Sequence, residues 1–150
     1  MKKSILKIII IVLFIFIFTK IYDYYAYILD FKLNWNIDFP VATKKIYYTD
    51  TGASFNGDGI TYGVFYYNNT KKIDKMLNWQ ESISDSDIEK FNYLIKELNK
   101  INSINEKMLV DFNNPENLYY VMTQDRDKRS TLFLIYNKSE KRLYYLELFV

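Results

Sequence analysis

The sequence predicts an α+β protein: an N-terminal transmembrane helix, then a small domain in which an antiparallel sheet is covered on one face by helices. Three observations carry this. Ile8 to Phe18 is an unbroken apolar run, IIIIVLFIFIF, with Lys2, Lys3 and Lys7 before it and Lys20 after it. Five later stretches rich in Ile, Val, Tyr and Phe have strand character, and most are joined by short polar turns. One stretch among them repeats its apolar residues at helical spacing. Strands paired by short turns, with helices grouped between them, belong to the α+β class.

A bilayer core of roughly 30 Å needs about 20 mostly apolar helical residues at about 1.5 Å each. The uninterrupted run alone falls short. Extending it from Ile5 to Ile21 brings in Lys7 and Lys20, whose ammonium groups can snorkel toward the headgroups. Tyr22, Tyr24, Tyr25 and Tyr27 follow as an interfacial aromatic belt. A cleaved signal peptide is the competing reading, but its only small residue near the end of the run is Ala26, behind Tyr24 and Tyr25. The expectation is therefore an uncleaved single-pass signal anchor over residues 1–30, and an extracytoplasmic domain over residues 31–150. With Lys2, Lys3 and Lys7 on the N-terminal side, the positive-inside rule places the N-terminus in the cytoplasm and the domain outside the cell membrane.

The 150 residues leave length for one domain after the anchor. Net charge is +2 over the whole chain, but residues 21–150 carry 16 basic and 18 acidic side chains. Without a basic stripe, nucleic acid is not an expected partner. The absence of Cys and His excludes Ser-His-Asp and Cys-His nucleophilic centres, imidazole or thiolate zinc sites, disulfides and cysteine-linked lipids. Carboxylate, hydroxyl, phenol and amine chemistry remain. No cofactor is implied.

From Leu29 to Phe39 apolar residues alternate, which predicts an extended segment, although helix through Asp30 reads equally well. Lys44 to Thr49 and Ile60 to Tyr67 are strand candidates, forming a hairpin around the loop Asp50 to Gly59. Asn68-Asn69-Thr70 ends the second strand and can cap a short helix from Lys71 to about Asn78. The strongest helix spans about Asp85 to Asn102. Ser84 and Asp87 have capping-box spacing, and Ile88, Phe91, Leu94, Ile95, Leu98 and Ile101 make one apolar stripe. Asn113-Asn114-Pro115 breaks the chain. Leu118 to Thr123, Thr131 to Tyr136 and Arg142 to Phe149 then form an antiparallel meander.

The loop holds three of the four glycines, and its Asp50, Asn56, Gly57, Asp58 and Gly59 are the candidate ligand-binding residues. Carboxylate and amide oxygens beside glycines suit a calcium or phosphate site. The loop lacks the terminal Glu of an EF-hand and the Gly-Lys-Ser/Thr of a nucleotide loop, so a hairpin connection with local turns is the plainer reading. Which metal it would hold, if any, the pattern does not specify. Asp125-Arg126-Asp127-Lys128-Arg129 reads as a solvated turn. The Tyr pairs at 47/48, 66/67, 119/120 and 144/145 put phenols on both sheet faces, one of them either an exposed aromatic platform or packed under a second layer.

The stretch Asp50-Thr51-Gly52-Ala53-Ser54-Phe55-Asn56-Gly57-Asp58-Gly59, with the Tyr-containing strand, short helix and Asn78-Trp79 that follow, resembles a group of small proteins of low-GC Gram-positive bacteria. That group carries an Asp-Thr/Ser-His-Gly-Gly-Phe-His-Gly-Asp-Gly loop behind one hydrophobic N-terminal segment. The resemblance covers about Lys44 to Trp79. It implies the same fold and a membrane location. Both histidine positions differ here, being Gly52 and Asn56, so any imidazole-dependent role of the group is lost in this chain.

Two functions fit. The first is a non-catalytic binding module that engages an envelope or membrane protein, in an immunity-type or signalling role. The second is a carboxylate-dependent envelope hydrolase, Ca²⁺-assisted or not, that uses Asp50 and Asp58 as its pair. Glycoside hydrolysis needs two carboxyl groups about 5–9.5 Å apart, one with a raised pKa.

Overall fold

The computed structural model describes residues 2–52, 58–124 and 128–150. The chain divides into two compact units, Met1–Val41 and Ala42–Val150.

The first unit is one long helix, α1 (Lys2–Trp35), and the segment after it. The alternation from Leu29 onward is therefore helical, and its period of two has a simple origin. Tyr27, Phe31 and Trp35 lie four residues apart on one buried face, while Leu29 and Leu33 occupy an exposed face between them. Two helical stripes offset by two residues imitate a strand. The helix ends at Asn36, whose φ of 53° is the left-handed conformation that Asn tolerates, with its N–H donating to Lys32 O at 3.1 Å. The chain then turns back. Phe39 stacks on Phe31 with centroids 4.0 Å apart and meets the edge of Tyr27 at 5.9 Å.

Among the described residues no helix is long and apolar enough to cross a membrane. This corrects the transmembrane helix, the signal anchor and the single-pass cell-membrane localisation expected over Ile5 to Ile21. The physical reason lies in the run itself. Ile8 to Phe18 spans only about 16 Å as helix, half a hydrocarbon core. Spanning length depended on counting through Lys7 and Lys20, charged residues near the two ends that the uninterrupted apolar run does not include. Ile9 to Phe18 are nevertheless all exposed, between 49% and 70%.

The second unit is the α+β domain. Its strands are β1 (Lys44–Asp50), β2 (Gly59–Tyr66), β3 (Asn117–Thr123), β4 (Thr131–Asn137) and β5 (Arg142–Phe149), with α2 (Lys71–Asp74) and α3 (Asp85–Asn99) between β2 and β3. They form one antiparallel sheet in the order β1-β2-β5-β4-β3. The hairpin β1–β2 and the meander β3–β4–β5 stand as expected, and β2 joins β5 from Gly59↔Phe149 to Tyr66↔Arg142.

α3 covers one sheet face. Phe91, Leu94, Ile95 and Leu98 are buried against Tyr62, Val64, Phe133, Ile135, Tyr144 and Leu146. Ile101, the last residue of the predicted stripe, lies past the helix end and is 61% exposed. Ser84 caps α3: its Oγ accepts from Asp87 N at 3.1 Å and donates to Asp87 Oδ2 at 2.6 Å. Ser84→Ala is expected to cost about 1 kcal/mol, readable as a lower urea midpoint with unchanged slope.

The opposite face is closed as well. Phe65, Leu132, Leu134, Tyr136, Leu143 and Tyr145 are all buried, with Trp79 packed against Tyr136 at 5.9 Å. The Tyr pairs accordingly serve two packed layers, and of the eight only Tyr48 is exposed. α2 is a single turn that starts at Lys71 as expected but stops at Asp74; Thr70 makes no side-chain cap, and the Lys71 N–H donates to Asn69 Oδ1.

Candidate functional site: a polar cleft at the end of the sheet

The glycine loop begins as a turn. The Asp50 carboxylate accepts from Gly52 N at 2.7 Å, and Gly52 has a φ of 76° that glycine adopts without strain. Thr51 and Ile60 close the base: Thr51 N donates to Ile60 O and Ile60 N to Thr51 Oγ1, both at 3.0 Å. Asn102, beyond α3, donates to Asp50 O at 2.7 Å. Gly59 sits where a Cβ would come within 3.2 Å of Thr51 Oγ1, so its lack of a side chain serves this closure. Asp58 is half-buried. Asn56 and Gly57 lie outside the described residues, as do Asp125, Arg126 and Asp127 of the mixed-charge turn. Of the expected pair, Asp50 is thus already engaged by its own turn. Among the described residues no three carboxylates are placed to share a metal ion.

A different site emerges where the apolar rows of the sheet stop. On the face under α3, one cross-strand row is Val64–Tyr144–Ile135–Tyr119, and the next is Tyr66–Arg142–Asn137–Asn117. Asn117 and Asn137 are each only 3% exposed, and burial of carboxamides is tolerable only when they are hydrogen-bonded. Asn137 Nδ2 donates to Asn117 Oδ1 at 2.9 Å, and Asn117 Nδ2 to Asp111 O at 2.8 Å. Asn137 Oδ1 accepts from Ser139 Oγ and Glu140 N at 2.9 and 2.8 Å, which shapes the β4–β5 turn where Lys141 has a φ of 55°.

That turn places three side chains together. Arg142 Nη1 is 3.2 Å from Glu140 Oε2, and the Tyr144 hydroxyl donates to the same oxygen at 3.2 Å. Arg142 also hydrogen-bonds the Tyr144 hydroxyl, which raises the guanidinium's pKa further and holds it charged. The 3₁₀ turn Glu106–Met108 and the following loop form the opposite wall, with Glu106, Lys107, Leu109, Asp111 and Asn114 facing a cleft of about 160 Å³. This wall is tied to the core because the buried Tyr62 hydroxyl donates to Met108 O.

Burial raises the pKa of Tyr62 well above its ordinary 10, with the neighbouring phenols of Tyr144 and Tyr47 adding to the effect. Burial also raises Tyr144. Between the unfolded and the raised folded values the unfolded chain has lost these protons and the folded chain has not, so stability falls as pH climbs above about 10. Urea unfolding at pH 8 and pH 11 is expected to show a markedly lower midpoint at the higher pH. Tyr62→Phe should flatten that dependence.

No protein-family model, curated protein or solved structure matches this chain.

Sequence reasoning missed the cleft because its residues come from two stretches, 106–117 and 137–144, that only strand pairing brings together. The one local signal was the pair of Asn residues at strand ends, Asn117 and Asn137, which also reads as turn punctuation.

Proposed function

We propose that this chain is a non-catalytic binding module whose recognition site is the polar cleft. One observation carries the reading: Arg142 is fixed by Glu140 and Tyr144 above a floor of buried, hydrogen-bonded Asn side chains, with its side chain still 31% exposed. A guanidinium held in place loses little entropy when it meets a ligand, and its fork has donors left over. The first carboxylate of the loop Asp50 to Gly59, by contrast, is occupied by its own turn.

The test is photo-crosslinking in cells from a diazirine side chain placed at Lys107 on the cleft rim. A saturable adduct should form, disappear with Arg142→Ala and persist with Asp58→Ala. An adduct that depends on Asp58 and not on Arg142 would return recognition to the glycine loop, and absence of any adduct would remove the reading.

A further inference from the structure

The lining of the cleft says what kind of ligand it suits. Two cationic groups, Lys107 and Arg142, share about 160 Å³ with three carboxylates, Glu106, Asp111 and Glu140. An anion entering this space meets the carboxylates, and a cation meets the guanidinium and ammonium. A neutral ligand avoids both penalties. It can also use what the protein leaves unspent: Arg142 has five N–H donors and, among the described residues, directs them at two partners. The floor Asn carboxamides each have a second N–H beyond the ones committed to Asn117 Oδ1 and Asp111 O. Leu109 is the single aliphatic side chain in the lining. A ligand rich in apolar atoms therefore gains nothing here, whereas neighbouring hydroxyls, each both donor and acceptor, match donors and acceptors set side by side. The volume lies below the roughly 300–1,000 Å³ of pockets for drug-sized molecules, which limits the occupant to one small unit.

We infer that the cleft binds a neutral, hydroxyl-rich ligand, a single sugar unit, held by the Arg142 fork, the Asn117 and Asn137 amides and the rim carboxylates. This rests on the reading of the cleft as a recognition site. The test is a titration of the ¹⁵N-labelled full-length chain followed by two-dimensional NMR. The sample is kept in a zwitterionic detergent, because α1 exposes apolar side chains and sugar-headed detergents would compete. The probes are glucose, N-acetylglucosamine, acetate, inorganic phosphate, methylammonium and N-methylacetamide.

Glucose or N-acetylglucosamine should shift amides of residues 106–117 and 137–144 saturably, and the four other probes should leave them in place. Arg142→Ala should weaken that binding about tenfold or more, the loss expected for hydrogen bonds to a charged donor. Arg142→Lys, which keeps the charge and loses the fork, should recover little of it. Shifts from acetate, phosphate or methylammonium without the sugars would overturn the sugar assignment and leave the binding module standing. Silence from every probe would overturn both. Release of free sugar from an aryl glycoside added in parallel would replace a binding module by a hydrolase.

Discussion

Phe91→Ala is expected to cost about 3–5 kcal/mol, the range for emptying a buried aromatic site. Phe91 is 2% exposed, and its ring meets three others edge-on: Tyr62 at 6.2 Å, Phe112 at 5.2 Å and Phe133 at 5.7 Å between centroids. Such edge-to-face pairs contribute beyond the area they bury. They also connect three parts of the domain, since Phe133 is on β4, Tyr62 on β2 and Phe112 on the loop behind the cleft. With total stabilities of about 5–15 kcal/mol for a domain, this one truncation removes a large share. Tyr93, two residues on and 60% exposed, is the control, and Tyr93→Ala should fall within about 0.5 kcal/mol of the parent. Urea unfolding of both variants decides the matter. A Phe91→Ala cost under about 1 kcal/mol would show that α3 is not the lid of this core.

The second large effect comes from the opposite sheet face. Gly63 on β2 pairs with Tyr145 on β5, and the Tyr145 ring lies across the glycine and stacks on Phe65 at 5.3 Å with planes 10° apart. A Cβ at Gly63 would collide with Tyr145 Cε1 and stand 2.7 Å from its Cζ. Glycine weakens a strand interior unless something covers it, and here an aromatic side chain does so. Gly63→Ala is therefore expected to destabilise by about 1–3 kcal/mol, as overpacking does, although Ala is otherwise the better strand residue. A double-mutant cycle gives the sharper test. In a Tyr145→Ala background the same substitution should cost almost nothing, and a cost that persists undiminished would rule out the ring contact as its cause.

Where one periodicity acted alone, the fold was readable. Ile60 to Tyr67 alternates because both sheet faces are packed with a side chain at every second position, and the stripe from Ile88 to Leu98 repeats because one helix face meets a sheet. Two places misled for definite physical reasons. At 27–35 a buried and an exposed helical stripe interleave, and the sum has the period of a strand. At 8–18 apolar character was extended into a span by way of two lysines that the helix has to carry. The candidate site was legible only as a loop. Asp50 and Gly59 do lie at a tight closure, but the cleft depends on the stretch from Glu106 to Asn114 folding against the ends of β3, β4 and β5, a tertiary packing that no local pattern announces.

The strand order of the sheet sets a condition on how the domain is made. β5 is the last of the five strands in the chain and yet lies at the centre of the sheet, between β2 and β4. The hairpin β1–β2 has only its own two strands to pair with until β5 has been synthesised. At about 5–20 residues per second, a ribosome takes several seconds to travel from the end of β2 to the start of β5. Throughout that interval Tyr62, Val64 and Phe65, all fully buried in the finished domain, have no completed sheet to lie in. The nascent chain is consequently a natural client for chaperones that hold aromatic-rich segments apart. A mutation in β5 would be felt first as a failure of biogenesis, in yield, before it is felt as a loss of stability in whatever protein survives.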